Sequence, residues 1–268
     1  MSTLLEIQQI SKNFLSVSQK LTVLDDLTIS IEKGEFVTIL GASGCGKSTL
    51  LRCIGGFTQP DVGRILLNGN PVTEPTPAIT MVFQTFEQLF PWRTVIQNLI
   101  YPLHIKNKNV SKAHLKEMAE HYLDLVNLSR FSDYYPYQLS GGMKQRVAIA
   151  RALSLESEVI LMDEPFASLD AQTRTALQIE MLNLWKKTGI TVLFVTHNIW
   201  EAIILGTRMI VLSAPPDNIK LDIKNPVQDY KGNIRTPSDT GFTECWTSLK
   251  DALQEDGGYK INNDFIHD

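Results

Sequence analysis

Short apolar runs alternating with helical patterns predict an α/β fold, a parallel sheet with helices on both faces. Three observations support this. The runs at residues 36–40, 78–83, 159–162, 191–195 and 208–212 are short, apolar and β-prone, like strands buried on both faces. Helical patterns lie between several of them, the clearest at 171–187. The first run passes straight into a glycine-rich turn and a helix at 49–54.

Taken in order, residues 4–13 and 21–31 read as two strands ahead of this core, the second ending in a Lys33–Gly34 turn. The alternation breaks at 111–154: residues 112–126 and 142–154 read as helices with no strand between them. Residues 90–155 are therefore expected to be a mainly helical insertion. Pro215 and Pro216 end the last core strand. Beyond them the chain turns polar, acidic and rich in Gly and Asn, with one helix expected at 246–253. The expected division is a domain at 1–215 and a short acidic extension at 216–268.

The 268 residues are 43% hydrophobic and 20% charged, an ordinary globular composition. The net charge of −4 arises from Asp217 onward, where 10 acidic residues face 6 basic ones; residues 1–216 balance. There is no polybasic footprint, so binding to long nucleic acid is disfavoured. Cys45, Cys53 and Cys245 are odd in number and lack zinc-ligand spacing, as free thiols in a reducing compartment do. The opening MSTLLEIQQI lacks the basic region and apolar core of a signal peptide, and no apolar run approaches the ~18 residues of a membrane span. We expect a cytoplasmic chain whose membrane spans, if it works at a membrane, come from another protein.

GASGCGKS at 41–48 fits G-x-x-x-x-G-K-[ST] between a strand and a helix. Its backbone, from Gly41 through Ser43, Gly44, Cys45 and Gly46, can wrap a phosphate with N–H groups inward. Lys47 supplies a point charge for the β- and γ-phosphates, and Ser48 a hydroxyl for Mg2+. The run at 159–162 ends in Asp163 and Glu164. Asp163 suits Mg2+, and Glu164 can polarise a water attacking the γ-phosphate. Two further runs end in Gln84 and His197. Gln84 could ligate Mg2+ or orient water; His197 could bond the γ-phosphate and hold Glu164. Alone, either is more often structural; four strand ends suited to one chemistry favour function. Ser140, Gly141 and Gly142 open a helix and make a second anion site.

Together these motifs resemble the nucleotide-binding subunit of ATP-binding cassette (ABC) transporters. The resemblance spans roughly residues 4–213 and rests on six ordered motifs. GASGCGKST, ending at Thr49, matches Walker A, Gln84 the Q-loop and LSGGMKQR the signature. VILMDEP matches Walker B, Ser168-Leu169-Asp170 the D-loop and His197 the switch histidine. It implies the ABC ATPase fold: a P-loop NTPase parallel-sheet core, an N-terminal antiparallel β subdomain and a helical subdomain at about 90–155. It also implies ATP, Mg2+ and a head-to-tail homodimer. Each ATP would lie between Walker A of one copy and Ser140, Gly141 and Gly142 of the other, with Asp170 reaching across. The family has an aromatic residue that stacks on adenine; Phe14 is the candidate, with a plain core phenylalanine the other reading.

TFEQLFPWRTV at 85–95 is similar to the LLPWxTV segment of the nitrate/sulfonate/taurine importer branch, and FASLDAQTR at 166–174 suits it. The resemblance implies an ATPase at the cytoplasmic face of the inner membrane, bound to permease subunits and indirectly served by a solute-binding protein. Phe86, Leu89, Phe90 and Trp92 would line a permease groove or pack in the core. Asn198 stands where the branch often has Asp, and Thr207, a departure from the family's Asp, reads as structural. An exporter or lipid-transport ATPase, and a soluble non-transport ABC ATPase, remain the alternatives.

Overall fold

The computed structural model describes residues 2–15, 20–83, 88–167, 169–227 and 235–254. Strands β1 (Thr3–Leu15) and β2 (Lys20–Glu32) pair antiparallel. The chain continues through β3 (Phe36–Gly41) and α1 (Lys47–Ile54), then returns as β4 (Val62–Leu67) and β5 (Asn70–Pro71). These last two extend the first sheet to the order β2-β1-β4-β5. Gln9 and Asp26 take positive φ, 50° and 48°, where the β1–β2 register shifts, and such irregularities bend a ribbon. Leu5, Ile7, Ile29 and Ile31 share one core with Leu50, Leu51 and Ile54 of α1.

Next come β6 (Ile79–Val82), α2 (Val95–Lys106), α3 (Lys112–Leu125), α4 (Gly141–Ser154) and β7 (Val159–Asp163). After them follow α5 (Ala171–Thr188), β8 (Thr191–Val195), α6 (Ile199–Leu205), β9 (Arg208–Leu212), β10 (Ile219–Lys224) and α7 (Phe242–Gln254). The second sheet runs β10-β9-β3-β8-β7-β6, parallel except for β10. Every position of β3 is buried, which explains its unbroken apolar run. Crucially, β3, β8, β7 and β6 are direct neighbours, and the four motif-bearing strand ends lie on them.

Helices α2, α3 and α4 lie between β6 and β7 around Leu99, Leu103, Leu115, Leu123 and Val147. Helix α2 had no clear sequence signal, because Pro102 sits inside it. Its start is secured by a capping box between Thr94 and Gln97. Thr207 is structural as expected: its hydroxyl accepts from Phe36 N and donates to Phe36 O, both at 3.0 Å.

The acidic extension is tied to the core. β10 pairs antiparallel with β9, and Arg208 grips Asp222 with two hydrogen bonds of 2.7 and 2.6 Å. Buried Arg235 donates to the carbonyls of Val227, Ile203 and Gly206. Helix α7 contains the expected helical segment and packs Phe242 on Trp200 of α6, centroids 4.9 Å apart. β10 was not expected although Ile219, Leu221 and Ile223 alternate with Lys220, Asp222 and Lys224 as in a half-buried strand; the polar, acidic composition after Pro216 hid that short signal.

Candidate nucleotide-binding site

The loop after β3 is shaped by glycine. Gly46 has a φ of 102°, and a Cβ there would fall 2.8 Å from Leu24 Cδ2 and 2.9 Å from Val23 O. Only glycine fits, and it starts α1 without a side-chain cap, leaving that end to backbone N–H groups. Gly41 ends β3; Ser43, Gly44 and Ser48 are exposed, Thr49 is half-buried, and Cys45 turns its side chain into the core. Lys47 is buried, and its Nζ donates to Gly41 O and Ala42 O at 2.8 and 2.9 Å.

β7 delivers the two carboxylates to the same edge. Ser48 Oγ donates to Asp163 Oδ1 at 3.0 Å. Burial pushes the Asp163 carboxyl upward, with that hydrogen bond opposing it. Glu164 lies at a positive φ of 45°, and its N–H donates to Val195 O at 3.0 Å. Its Oε2 is 3.1 Å from His197 Nδ1. The contact with His197 holds the Glu164 carboxyl below its ordinary range and raises the histidine above its own.

Ser140 caps α4, accepting from Met143 N at 3.3 Å, and Asp170 caps α5, accepting from Thr173 N at 2.9 Å. The two helix starts touch: a Cβ on Gly142 would fall 2.5 Å from Thr173 Cγ2. Gly142 thus lets the signature helix close on the helix that carries Asp170, while Ser140 stays exposed and Gly141 half-exposed. Phe14 is 44% exposed, which removes the reading as a plain core residue. Gln84, Phe86 and Ser168 lie outside the described residues.

The aromatic segment divides. Leu89 is buried in the core, whereas Trp92 is 70% exposed. Phe90 packs on Trp92 and Tyr101 at 5.6 and 5.2 Å. A cavity of about 240 Å3 opens beside them, with Phe90, Tyr101 and Arg151 in its lining.

Sequence reasoning passed over several supporting residues. Asp61 accepts from Lys12 Nζ and Asn13 N, both at 2.7 Å, and so fixes the strand end carrying Phe14. Gln88 bonds both backbone groups of Phe83, and Arg151 donates to Gln88 O at 2.6 Å. Buried Asn98 holds Phe90, Arg93 and Thr94. Each works through contacts distant in sequence or through a loop backbone, which no local motif advertises.

Lys47, Glu164 and His197 converge because their strands end at one edge of one sheet, the edge at which a P-loop ATPase works. The profile described as ABC transporter matches residues 24–167, and the chain belongs to that family, as one of its ATP-binding ATPases. It is 42% identical to the aliphatic sulfonates import ATP-binding protein SsuB of Bacillus anthracis over 251 residues, 94% of this chain and 96% of SsuB. It is also 42% identical to the nitrate import ATP-binding protein NrtD of Synechococcus elongatus over 207 residues, 77% of this chain and 75% of NrtD. A solved dimeric structure of the ATP-binding cassette MJ0796, in a post-hydrolysis state bound to ADP and Pi, matches with a TM-score of 0.72 at 31% identity. That match covers 82% of this chain and 98% of the cassette, so the expected ABC ATPase fold is present. Among the described residues, no helix is long and apolar enough to cross a membrane.

Proposed function

We propose that the chain is the ATP-hydrolysing subunit of an importer for a small solute such as nitrate, a sulfonate, taurine or a related compound. It would act as a homodimer on permease subunits at the cytoplasmic face of the inner membrane, fed by a solute-binding protein. The similarity to SsuB along nearly the whole chain carries this reading. The aromatic surface of exposed Trp92 and half-buried Phe90 supports it, being apolar and placed on the helical insertion where a permease helix could seat. Residues 1–215 would form the ATPase unit and 216–268 an extension, whose described residues 216–227 and 235–254 are tied to it.

ATP is the substrate. The backbone of residues 41–49 and Lys47 would hold its phosphates, and Phe14 would stack on adenine. Ser140, Gly141 and Gly142 of a second copy would close on the γ-phosphate, with Asp170 crossing the same interface. Glu164 would take a proton from the attacking water as the water oxygen bonds phosphorus, releasing ADP and phosphate. His197 would hold Glu164 in place and contact the γ-phosphate, and Gln84 would orient the water. The donor pair fits Mg2+: the Ser48 hydroxyl and Asp163 carboxylate are already 3.0 Å apart and offer hard oxygens, and Gln84 would add a third. When bound, the ion neutralises charge on the β- and γ-phosphates.

The test is a tagged Glu164→Gln chain expressed in its native cell, extracted in mild detergent with ATP and analysed for what co-purifies. A polytopic permease with a solute-binding partner supports the importer. Recovery with soluble partners alone overturns the transport reading and leaves the ATPase standing.

A further inference from the structure

Glu201 is a buried acid on α6, 6% exposed, and none of the ATPase motifs accounts for it. Its Oε2 accepts from Thr196 Oγ1 at 2.6 Å. Its Oε1 accepts from Gln178 Nε2 at 3.3 Å and lies 3.7 Å from Arg174 Nε. Arg174 also donates from Nη2 to Leu169 O at 2.9 Å, the carbonyl just before Asp170. On the other side, Thr196 Oγ1 accepts from Asn198 N at 3.0 Å, and Asn198 Oδ1 accepts from Trp200 N and Glu201 N at 2.8 and 3.3 Å.

Thr196 and Asn198 are the chain neighbours of His197. Both flanks of the switch histidine are therefore fixed by one hydrogen-bond net centred on Glu201. A cavity of about 20 Å3 has Glu164, Arg174, Thr196, His197 and Glu201 in its lining, so the net and the Glu164–His197 pair face the same small space. A carboxylate taken out of water is costly, and an apolar side chain would hold α6 on α5 without that cost. An acid kept in such a place, with every oxygen engaged, suits orientation better than adhesion.

We propose that Glu201 is a positioning residue for His197. It holds Thr196, and through it the peptide that aims the imidazole at Glu164. Through Arg174 it ties that aim to the segment entering Asp170. The inference rests on the role given above to His197, and a double-mutant cycle separates the two.

The experiment measures kcat and KM for ATP, at saturating Mg2+, for His197→Ala, Glu201→Ala, Thr196→Val and the doubles that combine each of the last two with His197→Ala. His197→Ala is expected to lower kcat by about 100-fold, and Glu201→Ala by about tenfold with KM within about twofold. Glu201→Ala on top of His197→Ala should cost almost nothing more, because the histidine it serves is gone. Thr196→Val should show the same non-additivity on a smaller scale, and it decides the matter if Glu201→Ala does not fold. Losses that multiply in both cycles would overturn the proposal, since a residue that only staples two helices acts independently of His197. Full activity of His197→Ala would remove the histidine's role and the positioning role with it.

Discussion

Glu164 and His197 meet at 3.1 Å across the ends of two adjacent strands, with Glu164 at a positive φ of 45°. That backbone region costs a non-glycine residue on the order of 1–3 kcal/mol. The Glu164 N–H bond to Val195 O holds the peptide there and turns the carboxylate toward β8 and its histidine. The strain has a local use: it brings the two side chains together.

This contact has a pH signature. His197 is raised above its ordinary 6.5 and Glu164 lowered below its ordinary 4.5, each chiefly by the hydrogen bond they share. A raised histidine stabilises the fold fully below pH 6.5, and that share is lost as pH rises through the raised value. A lowered glutamate stabilises above pH 4.5, and its share is lost as pH falls through the lowered value. The pair therefore contributes most between pH 4.5 and 6.5. An NMR titration of the chain without nucleotide should place the His197 midpoint above 6.5, and Glu164→Gln should bring it down. A midpoint unmoved by that substitution would show that the contact does not set it.

Removing the carboxylate should separate binding from hydrolysis. Glu164→Gln is expected to lower kcat by roughly 10²- to 10⁴-fold, the usual worth of a positioned base. ATP affinity should stay within about threefold, because the phosphate loop is untouched. Turnover assays beside equilibrium nucleotide binding check this, and a variant with near-normal kcat excludes Glu164 as the base.

The contact of Gly142 with Thr173 predicts a paired effect. Gly142→Ala forces a Cβ to within 2.5 Å of Thr173 Cγ2. Such overpacking costs about 1–3 kcal/mol and should lower Tm by roughly 2–10 °C. Thr173→Ser deletes that methyl group and should restore most of the loss in the double variant. Calorimetry that finds no recovery places the damage elsewhere.

Asn98 predicts an effect confined to the aromatic segment. Its side chain accepts from Phe90 N and donates to the carbonyls of Phe90, Arg93 and Thr94. Asn98→Leu leaves Phe90 N and Arg93 O without this partner and weakens the pin on Phe90 O and Thr94 O, costing about 1–3 kcal/mol. Permease capture in the detergent extraction should fall while ATP affinity of the folded fraction holds. Equal capture by the variant would show that the segment needs no such pin.

The parallel core could be read from sequence because a strand buried on both faces has no polar alternation to obscure it. β3 and β8 are apolar or buried at every position and stand out for that reason. Helix α2 could not, since Pro102 contradicts its pattern; strand β10 was legible in the alternation of Ile219, Leu221 and Ile223 with Lys220, Asp222 and Lys224, a signal lost in the polar, acidic stretch around it. The phosphate loop and Ser140–Gly142 were legible because backbone geometry demands particular residues at fixed spacing, and the Asp163–Glu164 pair because two carboxylates close an apolar run. Glu201 and Asp61 were not. Their partners Arg174, Thr196, Lys12 and Asn13 are chosen by packing between elements, and nothing beside Glu201 in the chain marks it as buried. The split of Leu89 inward and Trp92 outward likewise needs the tertiary structure.

Lys47 already has two acceptors, the carbonyls of Gly41 and Ala42 in its own loop. The ammonium has three N–H donors, so a phosphate can take the third while both carbonyls stay bound. A nucleotide at this lysine would then meet a charge already aimed by its own loop, with little side-chain freedom left to lose. The same two contacts would hold the loop's shape as product leaves, so it need not rebuild itself between turnovers.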